Sequence, residues 1–523
     1  MKKFIAGNFS ATLTPVRIWA FGFLLLFVIN IFWESANSLP PSWDMAYHQL
    51  MGLQFFDAFS RGNLLEGYTG LTSYYPPLYY LNESLVLLLF GDSQFLPLLS
   101  NIFGLFLLGY FTFRTAERLM PSPAAVSAGL AVLMLPMVAW TSRVSLLDTG
   151  LAGWVILAFY LVIKSDFFEH RGYTLLFGLV CAAGTLYKWT FPFFLIFAVT
   201  HTLLVSKCRK KVLINLCLAG VIALPLAATW YWPNAESLLE RIRMTAEDGT
   251  RFEKDPGLTS IWGWIYYLRC LSGYYLFLPL TLLFVPALFR LKRDLFKTRI
   301  FQLISVTLAG SVLIMTLLEM KDPRYIMPAA PFLVIVLLAG WKNKPAWSLI
   351  VIPAIFFIQM LAVSFIVPVI PQKIALFEVE NDRSYKGMNY EWILFETDYF
   401  DILGRARYEN WRTNEIMNHF RGGETIAVIP EHPYFNTATF KLSAYKKGNY
   451  DLRLTRAGFI GFSPEQLENT DWIIGKSGSQ GVDFLTVFNQ DVYAYLSESH
   501  WPVRAILSLP DGSRARIWEN PGN

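Results

Sequence analysis

Apolar and polar positions alternate in two different ways along this chain. Up to about residue 370, runs such as 19–33, 97–113, 301–318 and 347–370 stay apolar for nearly the ~20 residues that a helix needs to cross a bilayer. Other runs contain Pro or Gly, which membrane helices tolerate when their neighbours re-satisfy the freed backbone groups. A hydropathy pass predicts about eleven spans, at 17–33, 94–113, 123–140, 148–163, 172–186, 190–206, 212–231, 271–289, 300–318, 325–341 and 347–369. The first run ends in Phe32-Trp33-Glu34 without a small-residue cleavage site, so it reads as a retained span rather than a leader.

From Pro371 the pattern turns polar and mixed. It predicts helix 409–420, strand 424–429, helix 435–447, strand 451–454, helix 464–468, strand 471–475 and a closing pair of strands near 503–508 and 514–518. Helix and strand alternate, as in a small α/β layer domain. The expected architecture is therefore an all-α polytopic membrane domain over 1–370, followed by a soluble α/β domain over 371–523.

Composition agrees. With 54% hydrophobic and 16% charged residues and a mean hydropathy of +0.39, the chain has more apolar surface than a soluble protein of 523 residues could bury. Charge then orients it. If the N-terminus is cytoplasmic, 18 of the 28 basic residues before the tail fall on the inner side with only Glu117, Asp166, Glu169 and Asp294 against them. The positive-inside rule selects that arrangement, and an odd number of spans sends the tail outside. The tail is mildly acidic, with 16 Lys+Arg against 20 Asp+Glu, while the membrane part carries +9. The longer loops, 34–93, 141–147, 232–270 and 319–324, then lie on the outer face, where a rigid scaffold would hold chemistry. The expected location is the cytoplasmic (inner) membrane. The four cysteines all precede residue 271 and form neither a disulfide framework nor a zinc spacing.

The first outer loop reads Pro40-Pro41-Ser42-Trp43-Asp44-Met45-Ala46-Tyr47-His48, continues as an amphipathic stretch to Phe59, and then reads Tyr74-Tyr75-Pro76-Pro77-Leu78-Tyr79-Tyr80. Asp44 is either a simple helix cap or a carboxylate with chemistry to do. His48, at i+4, would share its helical face. The second loop runs Thr141-Ser142-Arg143-Val144-Ser145-Leu146-Leu147-Asp148, which puts an acid at the head of an apolar span. An acid at that depth faces a wet cavity or a cation, or else caps the positive helix end. Lys188 lies between two spans, and Lys321-Asp322-Pro323-Arg324-Tyr325-Ile326-Met327-Pro328 precedes the tenth. Both basic residues could merely snorkel. The proline-flanked Arg324 fork, however, suits bidentate contact with phosphate.

Together these fragments resemble the GT-C superfamily of membrane glycosyltransferases. The nearest branch comprises the bacterial relatives of protein O-mannosyltransferases (glycosyltransferase family 39-like) and of the aminoarabinose transferase that modifies lipid A. The resemblance covers roughly residues 1–345 and lies in the order and spacing of weak motifs. One feature departs from it: those families commonly carry an Asp-Glu pair in the first outer loop, whereas Met45 follows Asp44 here. The tail resembles the extracytoplasmic α/β domains appended to some members.

The resemblance implies a polyprenyl-phosphate sugar donor entering from the lipid bilayer, a lipid, glycan or protein acceptor, and an inverting displacement. It makes Asp44 the base, with Asp148 and His48 completing the catalytic set. Arg324, Lys188, Arg143 and Tyr325 would hold the donor phosphate, and Trp43, Tyr47, Tyr75, Tyr79 and Lys321 would line the substrate cavity. No cofactor is required; a divalent cation could join such a site, but no spacing indicates a metal. No nucleotide fingerprint or nucleic-acid motif occurs. The rival classes are a lipid-oligosaccharide flippase or other polytopic transporter, and a non-catalytic subunit whose tail binds a partner. Ionisable residues converging on one outer-face cavity favour the enzyme, a midplane site favours the carrier, and no cavity favours the scaffold.

Overall fold

A computed structural model describes residues 14–251, 255–342, 348–365, 373–379, 390–396, 403–458 and 461–522. The first helix, α1 (Pro15–Ala36), begins where the Thr14 side chain accepts from Arg17 N–H and Pro15 supplies a helical φ. Three helices occupy the predicted first outer loop: α2 (Trp43–Ser60), α3 (Leu64–Thr69) and α4 (Leu78–Phe90). The bundle continues with α5 (Leu96–Ala116), α6 (Ser122–Ala131), α7 (Pro136–Thr141), α8 (Asp148–Lys164), α9 (Arg171–Tyr187) and α10 (Ile196–Val205). It closes with α11 (Arg209–Arg251), α12 (Ile261–Cys270), α13 (Phe277–Arg290), the single turn α14 (Arg293–Phe296), α15 (Arg299–Leu317), α16 (Ala330–Trp341) and α17 (Ser348–Phe365).

Among the described residues, six helical stretches are long and apolar enough to cross a membrane: Pro15–Ala36, Leu96–Ala116, Arg209–Glu247, Ile261–Arg290, Arg299–Leu317 and Pro323–Trp341. Phe21, Leu24, Phe32, Val221, Leu224 and Phe289 stand exposed on them, as side chains facing lipid would. The other predicted spans are shorter or broken helices. Pro136 splits 123–140 into α6, a 3₁₀ turn and α7, and 190–206 starts as the 3₁₀ turn Phe191–Phe194. The predicted span 212–231 is part of the 43-residue α11, which passes through Pro225 and Pro233 and takes up much of the expected loop 232–270.

Glycines set the closest approaches. A Cβ on Gly104 of α5 would lie 2.6 Å from Gly150 Cα of α8, and one on Gly153 would lie 2.5 Å from the Gly104 carbonyl. The two backbones touch because neither carries a side chain there, as small residues allow in membrane helix pairs.

The expected domain boundary at 370/371 lies outside the described residues. Beyond it, β1 (Lys373–Val379) and β2 (Tyr390–Glu396) form an antiparallel pair that the polar pattern does not signal, and it packs on the π-helical segment Leu271–Leu276. The tail proper contains β3 (Thr425–Val428), β4 (Arg453–Arg456), β5 (Trp472–Lys476), β6 (Val503–Ser508) and β7 (Arg514–Glu519), in the order β4-β3-β5-β7-β6. The first three are parallel, and β7 and β6 add on antiparallel. Of the tail helices, α18 (Thr413–Met417) is much shorter than predicted, and the left-handed φ of 54° at Arg412 sets its late start. The helix α19 (Thr437–Lys446) lies within its predicted range, and α20 (Asn489–Glu498) fills a stretch with no predicted element. One sheet face packs Ile426, Ile474 and Ile517 under Phe435 and Phe440, and the other packs Ile473 against Val492 and Leu496. On the first side, α19 lies along α2.

Candidate functional site

Four connections meet at one end of the bundle: the α1–α2 loop, the start of α8, the end of α9 and the segment before α16. Lys188 is the C-cap of α9 and Asp148 is the first residue of α8. A cation at a helix C-terminus and an acid at an N-terminus each suit the local helix dipole. The absent side chain of Gly150, whose Cβ would sit 1.9 Å from Tyr187 Oη, lets the two helix ends close on each other. The result is a buried ion pair, Lys188 Nζ to Asp148 Oδ1 at 2.7 Å, with the ammonium 5.3 Å from the centre of the Tyr325 ring. On the α5 side, Asn101 Nδ2 donates to the Val144 carbonyl at 2.8 Å and holds the loop that leads into Asp148.

Arg324 is set by its own loop. Asp322 accepts from the Arg324 backbone N–H at 2.8 Å, from Nε at 3.0 Å and from Nη2 at 3.2 Å. Tyr275, in the π-helical segment, donates its hydroxyl to the Pro323 carbonyl at 2.9 Å. Arg324 Nη2 also lies 3.5 Å from Asp44 Oδ2.

Asp44 belongs to the first turn of α2, whose N-cap is Ser42, so it does not serve as the cap residue. Its side chain is 57% exposed, whereas that of Arg324 is 12% exposed. An accessible carboxylate thus stands beside a mostly buried guanidinium. One turn on, His48 is buried with Nδ1 2.8 Å from Tyr80 Oη, and its ring meets those of Tyr47, Tyr75 and Tyr79. Burial, reinforced by the Lys188 charge, pushes His48 down to about 3, so it stays neutral at ordinary pH. Burial likewise keeps Tyr75 a phenol.

Beside these groups lies a cavity of about 710 Å³. Asp148, Lys188, Tyr75 and Tyr325 form its polar side; Leu151, Trp189, Ile242, Met315 and Leu318 form its apolar side. Of the predicted residues, the structure brings together Asp44, Asp148, His48, Lys188, Arg324, Tyr325, Tyr47 and Tyr75, with Tyr79 behind His48 against Tyr187. Three others lie elsewhere. Arg143 is not part of the phosphate-side cluster: it is buried over the Trp33 ring, with Nε on Asn30 Oδ1 at 2.6 Å and Nη2 on Ser364 Oγ at 2.8 Å. It lines a separate cavity of about 1290 Å³ with Glu34, Arg405, Arg407 and Lys446. Trp43 turns away to the tail, donating its indole N–H to Glu431 at 3.1 Å. Lys321 braces its own loop, with Nζ on the Thr316 and Leu318 carbonyls.

Sequence reasoning missed Asp322, although it stands two residues before Arg324 in the quoted motif. It also missed Ile242, Thr245 and Ala246, which fall in the expected loop 232–270 where α11 in fact continues. Among the described residues, no group of three His, Cys, Asp or Glu side chains gathers as a metal site.

No protein-family model matches this sequence, and no curated protein does. Solved structures do match its fold. ArnT from Cupriavidus metallidurans bound to undecaprenyl phosphate superposes with a TM-score of 0.63 at 12% identity, covering 97% of this chain and 98% of that one. The same protein in the apo state gives 0.59 at 13% identity, over 95% and 98%. The apo oligosaccharyltransferase of Archaeoglobus fulgidus gives 0.53 at 10% identity, over 97% of this chain and 74% of that one. The likeness extends through both the helical bundle and the tail, and it shows that this chain has the GT-C fold.

Proposed function

We propose that the protein is a membrane glycosyltransferase that moves a sugar from a polyprenyl-phosphate donor to an acceptor hydroxyl at the outer face of the cytoplasmic membrane. One observation carries this reading: an accessible carboxylate, Asp44, lies 3.5 Å from Arg324 beside a cavity with Lys188 and Asp148 on one side and an apolar wall on the other. The binding of undecaprenyl phosphate by the similarly folded ArnT supports the choice of donor.

In this reading the acceptor oxygen attacks the anomeric carbon as Asp44 takes its proton, the bond from that carbon to the phosphate oxygen breaks, and configuration inverts. The leaving phosphate is already a competent anion and needs charge stabilisation more than a proton, which Arg324 and Lys188 would supply. Asp148 fixes the Lys188 ammonium and offsets its burial. The apolar wall accommodates the first isoprenoid units. Neutral His48 acts as part of the aromatic wall behind Asp44 rather than as a second base.

The test uses the purified full-length protein in nanodiscs with a panel of radiolabelled polyprenyl-phosphate sugars, scoring both donor binding and transfer. Asp44→Asn should still bind donor and keep its melting temperature, with transfer down at least roughly a hundredfold. Wild-type transfer by that variant removes Asp44 as the base, and failure of the wild-type protein to bind any polyprenyl phosphate overturns the donor class.

A further inference from the structure

The tail holds the helix that carries Asp44. Thr439 Oγ1 donates to the Pro41 carbonyl at 2.9 Å, Tyr445 Oη contacts Asp57 Oδ2 at 2.5 Å, and Lys446 Nζ contacts Asp92 Oδ1 at 2.8 Å. These three contacts would dock the two parts whatever the chemistry. A fourth is placed differently. Trp43, immediately before Asp44, has a φ of +30°, a conformation that a bulky L-residue adopts only where its surroundings hold it. What holds it from the tail side is Glu431, whose Oε2 accepts the Trp43 indole N–H at 3.1 Å while its Oε1 pairs with Arg456 Nε at 3.1 Å.

Glu431 is itself fixed from behind. Its backbone N–H donates to the Gln480 carbonyl at 2.8 Å. Gly481, at a φ of +118°, passes so close that a Cβ there would lie 2.1 Å from the Glu431 carbonyl oxygen. The chain of contacts therefore runs from Gly481 through Glu431 to Trp43, and Trp43 is covalently joined to the residue that faces Arg324.

We infer that Glu431 is a positioning residue for Asp44, acting through Trp43: the tail holds the first turn of α2 in the conformation that sets the carboxylate against Arg324. This rests on the reading of Asp44 as the base. Misplacing a reacting group by about 1 Å is enough to lower a rate by roughly a hundredfold, so a hydrogen bond one residue away has the leverage required.

The experiment measures turnover of the full-length protein together with hydrogen exchange of the backbone amides of residues 43–48, for Glu431→Ala, Glu431→Gln, Trp43→Phe and Gly481→Ala. Glu431→Ala and Trp43→Phe should lower kcat by roughly tenfold to a hundredfold while the KM for the sugar donor stays within about twofold, and both should speed exchange in 43–48. Glu431→Gln keeps an oxygen for the indole N–H and should retain most of kcat, which a role as a bare charge would not permit. Gly481→Ala reaches Glu431 without touching α2 and should resemble Glu431→Ala. Exchange that rises while kcat holds, or no change in either, overturns the inference. Asp44→Asn run alongside separates the two claims. An Asp44→Asn enzyme with full turnover sinks the base reading. A Glu431→Ala enzyme with full turnover beside an inactive Asp44→Asn enzyme sinks only the positioning role.

Discussion

Replacing Lys188 by methionine keeps most of the aliphatic stem but leaves the Asp148 carboxylate, 3% exposed, without the ammonium 2.7 Å away. Removing one partner of a buried ion pair typically costs about 3–5 kcal/mol, because the remaining charge keeps its desolvation penalty and loses its compensation. Loss of the desolvated ammonium near the Tyr325 ring, 5.3 Å from its centre, adds up to roughly 2 kcal/mol. Asp148→Asn strands the opposite charge and should cost a similar amount. In the double variant Lys188→Met/Asp148→Asn both charges are gone, so its loss should fall short of the sum of the two single losses by a coupling of about 2–3 kcal/mol. The assay is reversible unfolding of the full-length protein in detergent for all four members of the cycle, with turnover measured on each. Penalties that simply add, with coupling under about 0.5 kcal/mol, would show that the two residues do not neutralise each other. If the double variant regains stability and also keeps turnover, Lys188 does not stabilise the leaving phosphate.

Arg324→Lys preserves charge but loses the fork that spans both Asp322 oxygens and reaches Asp44, so turnover should fall at least roughly tenfold; wild-type turnover and donor affinity would reduce Arg324 to a snorkelling cation. His48 takes up a proton near 6.5 when unfolded but only near 3 when folded, so its stabilising contribution is complete above pH 6.5 and is lost as pH falls below it, by up to about 1.4 kcal/mol per unit. Melting curves of His48→Gln should therefore fall less steeply between pH 6.5 and pH 4 than those of wild type, and parallel curves would refute this. A reporter fused after Asn523 that functions only when exported should be active, because the exposed cations Arg171 and Lys207–Lys211 gather at the end of α9 and α11 opposite Lys188, about 25 Å away along the 17-residue α9. A fusion active only in the cytoplasm would invert the site.

Much of this protein is legible without coordinates. Continuous apolar runs announce helices because the bilayer demands a length of apolar chain and the satisfaction of every backbone group within it. For that reason the predicted spans, over the described residues, fall on helices even where Pro136 breaks one. Alternation and turn residues likewise place β6 at 503–508 in agreement with the structure. The short motifs around Asp44, Asp148, Lys188 and Arg324 stand out because charge is costly beside so much apolar sequence.

Tertiary structure alone decided which of those charges work together. Lys188 meets Asp148 because two glycine-lined helix pairs close on each other, and such closeness leaves no local pattern around either charge. Arg143, equally conspicuous in sequence and only five residues from Asp148, leaves the cluster because its guanidinium is taken up by Asn30 and Ser364, 113 and 221 residues away. Trp43 and Asp44 are neighbours in the chain, yet one reaches into the tail and the other toward Arg324. Contacts between residues hundreds of positions apart depend on how whole helices and the tail sheet dock, and docking is decided by packing shape, which hydropathy and local spacing do not record.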